Sequence, residues 1–299
     1  MTPAVSVADV ERRYRGHQAL AGVTFEIGTP CITGLVGRNG AGKTTLLRIL
    51  AGQELTSAGQ VHVFGAEPLE NDAVLRRMIL VREDQTYPDL RVGHILTAAS
   101  LLYPNWDDGL AGELLDAYEL PLARPVKKLS RGMRTALGIV VGLAARAELT
   151  LFDEPYVGLD AVARTLFYDQ LLADYTAHPR CIVLSTHLVD EAADLLDRVL
   201  VLDRGRLVLD APTDDLRGTA TSITGPVADV ERFIAGRTTL GRRTMGAQTR
   251  AVMVGRLDAR DRELADHLHL RLEGVTLQQL AIHAADGHDP SGLTTAKAS

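Results

Sequence analysis

The twenty residues CITGLVGRNGAGKTTLLRIL, positions 31 to 50, constrain this chain more than any others. An apolar run ends at Gly37, a glycine-rich loop follows, and a helical pattern begins at Lys43. The loop fits G-x-x-x-x-G-K-[ST] from Gly37 to Thr44. Gly37, Gly40 and Gly42 let the backbone turn until several N–H groups face one anion. Arg38, Asn39 and Ala41 complete the same cradle. The helix that follows aims its partial positive charge at the same point. Lys43 is expected to reach the β- and γ-phosphates, the Thr44 hydroxyl to ligate Mg²⁺, and Thr45 to contact the α-phosphate side. A glycine turn ahead of a helix can arise by chance. Here, though, only four of the 32 basic residues are lysine, at 43, 127, 128 and 297, and one of them stands in the cradle.

Ligands of open parallel sheets bind beyond the carboxyl ends of the strands. Three short apolar runs end in groups suited to phosphate chemistry. CITGLVG ends in the cradle, LTLFDEP in Asp153 and Glu154, and CIVLSTH in Ser185, Thr186 and His187. Such runs read as strands buried on both faces. Asp153 is expected to hold Mg²⁺, directly or through water. Glu154 would polarise the water that attacks the γ-phosphate, and His187 would contact that phosphate and fix the water's position. Alone, an Asp-Glu-Pro can be a solvated turn and a single histidine is usually structural. The cradle and the order of the three runs bind them into one set.

Composition bounds the rest. At 299 residues one large or two unequal domains are expected. The net charge of -6 argues against a general nucleic-acid binder. No apolar run approaches the ~20 residues of a membrane span, and the N-terminus does not read as a secretory signal. Cys31 and Cys181 lie inside apolar runs and read as buried thiols rather than a disulfide or a metal site. Residues 1 to 85 read as short strands with the cradle helix, VTFEI and QVHVFG forming an antiparallel edge. Residues 86 to 147 read as helical, and 148 to 217 return to strand-helix alternation. The Thr/Gly-rich stretch RGTATSITGP marks a boundary near 218. A small α+β unit is expected over 218–285, and the tail 286–299 is expected to be disordered. His267, His269 and His283 lack paired ligands and read as surface or packing residues.

GRNGAGKTT, LSRGM, LTLFDEP, VGLD and STH, in that order, resemble the five nucleotide motifs of ATP-binding cassette (ABC) proteins. These are the Walker A loop, the signature, the Walker B strand, the D-loop and the switch histidine. The resemblance covers residues 5 to 217. It implies a P-loop NTPase core with an antiparallel edge and a helical subdomain over 86–147. It also implies ATP and Mg²⁺ as cofactors and a dimer, homodimer or with a close paralogue, that sandwiches two ATP. The usual signature reads LSGGQ and contacts ATP held by the other subunit. Ser130 suits this as an N-cap and hydroxyl donor, and Gly132 lets the helix N-terminus approach an anion. Arg131 and Met133 depart from the pattern. Arg131 would add a charged contact to ATP across the dimer or simply face solvent. Variants reading LSxGM resemble ATPases of exporter-type systems with separate membrane subunits.

The resemblance implies three further residues. Asp160, in YVGLD, would sit on the D-loop at the dimer seam, a plain turn being the alternative. In ILVREDQTYPDLRV, Glu83 takes the Q-loop position as a metal ligand by register, with Gln85 competing two residues on. Tyr14 sits where an aromatic lies under the adenine ring, the alternative being an ordinary surface tyrosine. The expected function is therefore an ATP-hydrolysing subunit that drives a separate membrane permease from the cytoplasmic face, with export the favoured direction. The rival from another class is a soluble cassette ATPase acting on ribosomes or nucleic acid. It usually carries paired cassettes, coiled coils or zinc modules, none of which is visible. A GTPase or kinase lacks support because no Asn-Lys-x-Asp motif occurs.

Overall fold

The computed structural model describes residues 2 to 285. The expected tail, 286–299, lies outside the described residues.

The chain opens with β1 (Val5–Tyr14) and β2 (His17–Ile27), an antiparallel hairpin. Then β3 (Cys31–Val36) runs through the cradle into α1 (Lys43–Leu50). β4 (Ala58–Val63) returns beside β1 and completes a three-stranded sheet of order β2-β1-β4. A short α2 (Asp72–Leu75) precedes β5 (Met78–Arg82). Three helices follow: α3 (Val92–Leu102), α4 (Asp108–Ala117) and α5 (Arg131–Ala144). The chain then alternates through β6 (Leu149–Asp153), α6 (Ala161–Ala177), β7 (Cys181–Thr186), a short α7 (Val189–Ala192) and β8 (Arg198–Asp203). β9 (Arg206–Pro212) turns back on β8, and α8 (Thr213–Leu216) ends this part.

The main sheet has the order β5-β6-β7-β3-β8-β9, parallel except for β9. Its central strands are buried on both faces, which is why they read as unbroken apolar runs. Alternation divides their side chains between two cores. Leu149 and Leu151 pack with α1 and the antiparallel sheet. Phe152, Ile182 and Leu184 face the layer that holds α5 and α6. Helix α5 lies against β5 and β6, and its buried face is almost wholly apolar. Among the described residues no helix is long and apolar enough to cross a membrane.

Beyond Gly218 the chain forms β10 (Ala220–Pro226), α9 (Val227–Ile234), β11 (Thr239–Met245), β12 (Gln248–Val254), α10 (Ala259–His267) and β13 (Arg271–Gly274). This β-α-β-β-α-β order with the antiparallel sheet β11-β12-β10-β13 is the split βαβ arrangement of ferredoxin-like units. The stretch RGTATSITGP, read as a boundary, thus contains a central strand. Ala220, Ser222 and Ile223 are buried while Thr221 and Thr224 are partly exposed, as suits a largely buried pleated strand. The unit has its own core around Ile223, Val230, Phe233 and Met253. The last helix, α11 (Leu277–Ala285), returns to pack Leu277, Leu280 and Ala284 into the larger core beside α7, β8 and β9. Cys31 and Cys181 are free thiols at paired positions of β3 and β7, and burial pushes Cys181 up to about 12.

Candidate nucleotide site

The parallel strands deliver the expected groups to one end of the sheet. Cys31–Val36, Leu149–Asp153 and Cys181–Thr186 are neighbours in order β6-β7-β3, so the cradle, Asp153-Glu154 and His187 emerge side by side. Gly42 caps α1 with φ 108, a left-handed conformation that favours glycine, and a Cβ there would stand 2.6 Å from the Ala19 carbonyl oxygen. A Cβ on Gly37 would meet the Leu202 carbonyl oxygen at 2.4 Å. These glycines are fixed by neighbouring backbone as well as by turn geometry.

Lys43 is only 6% exposed. Its ammonium donates to the Gly37 carbonyl at 2.7 Å and stands 3.4 Å from Glu154 Oε1. Glu154 Oε2 lies 2.6 Å from His187 Nδ1. A carboxylate oxygen can only accept, so Nδ1 carries the proton of that bond. Glu154 itself holds φ 50, an uncommon backbone for a non-glycine residue.

Asp153 is buried beside the hydroxyls of Thr44 and Ser185, and desolvation pushes its carboxyl above the ordinary range despite those hydroxyls. Its Oδ1, and Ser185 Oγ, close no hydrogen bond of good geometry. A buried carboxylate oxygen left without a partner, beside a threonine hydroxyl, is a donor set suited to a hard divalent cation. Mg²⁺ usually takes one or two protein oxygens and the rest from phosphate and water. Among the described residues no group of three or more His, Cys, Asp or Glu is placed to hold a metal ion.

The remaining expected residues fall into a different setting. Ser130 caps α5, its hydroxyl accepting from the Met133 amide at 3.2 Å, and the helix end is exposed rather than turned into the core. Gly132 comes so close to the Val157–Gly158 segment that a Cβ would meet the Gly158 carbonyl oxygen at 2.8 Å. Asp160 caps α6 by accepting from the Ala163 amide at 2.8 Å. Glu83 follows β5 directly and its amide bonds the Asp153 carbonyl, yet its side chain turns to the Arg131 guanidinium of the same chain. Gln85 bends back instead to accept from the Arg82 amide at 3.3 Å. The Glu83 carboxylate is thus directed to Arg131 and the Gln85 side-chain oxygen to the Arg82 amide. Tyr14 ends β1, 41% exposed; its hydroxyl donates to Glu54 and the Arg12 guanidinium stands 4.7 Å from the ring centre.

The sequence reading missed two partners. One is the Arg131–Glu83 pair, which joins the signature to the loop after β5. The other is Tyr156, whose hydroxyl lies 2.6 Å from both Glu154 Oε2 and Thr186 Oγ1. The signal for the second was an aromatic with a polar tip directly after the Pro155 turn, since a buried phenol finds a partner.

Known proteins resemble this chain over about 70% of its length. The ABC transporter family profile matches residues 20–157. The aliphatic sulfonates import ATP-binding protein SsuB 1 of Nocardia farcinica is 34% identical over 209 residues, 69% of this chain and 81% of that protein. The Nod factor export ATP-binding protein I of Ralstonia nicotianae is 32% identical over 223 residues, 72% of this chain and 69% of that protein. The chain belongs to the ABC transporter ATP-binding family. Among solved structures, the ATP binding subunit of an ABC transporter superposes with a TM-score of 0.64 at 25% identity, over 72% of this chain and 92% of that one. This ABC ATPase therefore has the expected P-loop core and carries the cradle of an ATP-binding cassette. Its ferredoxin-like unit lies beyond the matched segment 20–157.

Proposed function

We propose that this ABC ATPase works as a dimer, of identical chains or with a close paralogue, that closes around two ATP and drives a separate membrane permease from the cytoplasmic face. Each ATP would lie between the cradle of one chain (Gly37 to Thr45) and the Ser130–Gly132 helix end of the other. Asp160 would sit at that seam and Tyr14 under the adenine. Thr44 and Asp153 would hold Mg²⁺, which when bound neutralises charge on the β- and γ-phosphates. Glu154 accepts the proton of the attacking water, and His187 orients that water and contacts the γ-phosphate. The relatives divide between import and export. The signature reading LSRGM supports export for this chain.

One observation carries the reading. Glu154 stands within 3.4 Å of Lys43 Nζ and 2.6 Å of His187 Nδ1, so base, phosphate-binding cation and switch histidine share one point at the strand ends. Glu154→Gln tests it. ATP binding should persist, an ATP-bound dimer should accumulate on gel filtration, and turnover should fall at least about a hundredfold. Turnover near wild type would remove Glu154 from the chemistry.

A further inference from the structure

Tyr156 is 2% exposed and belongs to no nucleotide motif. Its ring packs against Tyr168 and His187, with centroids 6.3 and 5.9 Å apart. Its oxygen is a junction. It lies 2.6 Å from Glu154 Oε2 and 2.6 Å from Thr186 Oγ1, and it accepts from the His187 amide at 3.2 Å. Donor counting fixes the directions. Glu154 can only accept, so the phenol proton goes to its carboxylate. The Thr186 hydroxyl must then donate to the phenol, while it accepts from the Leu188 amide at 2.9 Å. Burial and the neighbouring carboxylate push the phenol far above its ordinary range, so the donor is permanent. One proton given and two received exhaust the phenol's capacity. The 3.5 Å approach of His187 Nδ1 is therefore a contact and not a further bond.

We propose that Tyr156 is a positioning residue that ties the Glu154 carboxylate and the His187 loop to one oxygen. The residue acts through Glu154 and so rests on the role given to that base above. The physical need is plain. Glu154 has left the strand with φ 50, so regular pleating no longer aims its side chain. Its other oxygen faces Lys43 at 3.4 Å, and Lys43 is the group that a triphosphate in the cradle would draw away. The bond from Tyr156 does not depend on the ligand, because the groups its oxygen joins are Glu154 in the turn after β6, Thr186 at the end of β7 and His187 just after it. It keeps Oε2 beside His187 while Oε1 is released toward the water. Linking residues 154 and 187 through residue 156 also makes the base and the switch histidine move together.

Tyr156→Phe keeps the ring and deletes the junction. The expected result is a fall in kcat of about tenfold, the scale for losing a hydrogen bond to a charged group, with KM for ATP and ATP affinity unchanged. Introduced into Glu154→Gln, the same change should alter the residual rate by less than about twofold, because the tether has nothing left to aim. Thr186→Val, which removes the donor into the phenol, should lower kcat several-fold, and Thr186→Ser should restore it. These two variants decide the matter if Tyr156→Phe does not fold. A wild-type kcat in Tyr156→Phe, while Glu154→Gln is inactive, would overturn the tether and leave the base in place. So would an equal loss in both backgrounds, which marks mere packing. An active Glu154→Gln would overturn both.

Discussion

The cradle side and the signature side of this molecule differ in how far one chain completes them. On the cradle side Lys43, Asp153, Glu154 and Tyr156 are buried or nearly so, and Glu154 is held by Lys43, His187 and Tyr156 together. On the signature side Ser130 and Arg131 are exposed on a helix end, and the Arg131 guanidinium pairs with Glu83 of its own chain. Buried polar groups in low dielectric cost several kcal/mol unless paired; here Glu154 is held by its neighbours, while Asp153 Oδ1 and Ser185 Oγ stay without a good partner. Exposed groups carry no such demand. They can stay uncommitted until another surface covers them. One side is organised within its own chain, and the other is the surface proposed above to meet the ATP of a second subunit.

The largest expected effect tests that division. Ser130→Arg places bulk and charge on the helix end without touching the cradle. Hydrolysis should fall at least about a hundredfold, while ATP binding by the monomer stays within about twofold of wild type, read by fluorescent-nucleotide titration. Equal loss of both would mean that Ser130 serves its own chain's site, and the contrast between the two sides would fail.

How much of this was legible in sequence follows the same division. The cradle and the strand-end carboxylates were readable because each is a local pattern: glycines at fixed spacing, and apolar runs that end in polar groups. The Ser130 cap was readable for the same reason, one hydroxyl and a helix start. Tyr156 was not, since its role depends on β6 lying beside β7, which brings residue 156 to residue 186. The Arg131–Glu83 pair spans 48 residues and likewise exists only in the fold. The strand Ala220–Pro226 was hidden by composition. Threonine, serine and glycine mark a boundary by composition, and the pairing with β12 and β13 that makes the stretch a central strand exists only in the fold.

A smaller effect is expected at Tyr14. Its hydroxyl and one side of its ring are already engaged by Glu54 and Arg12, which holds the ring in place at the end of β1. Stacking needs only the remaining flat face. Tyr14→Ala should weaken ATP binding three- to tenfold and leave kcat nearly unchanged, measured by calorimetric titration and steady-state kinetics. An unchanged affinity would make Tyr14 a structural partner of Glu54 and shorten the cradle side by one residue.

The smallest effect sharpens the border between the two sides, because Glu83 lies on it. Its amide is bonded to the Asp153 strand, but its carboxylate reaches out to Arg131. As an exposed ion pair it should contribute no more than about 1 kcal/mol. Glu83→Gln keeps the shape and a carbonyl oxygen but removes the charge. Stability to urea should change by less than about 1 kcal/mol, any difference should vanish in ~1 M salt, and the basal ATPase rate should stay within about twofold. A tenfold fall in that rate, relieved by raising Mg²⁺, would instead assign Glu83 to the metal and to the cradle. In that outcome Arg131 competes with the cation for one carboxylate, and the signature side would not be independent of the cradle even within a single chain.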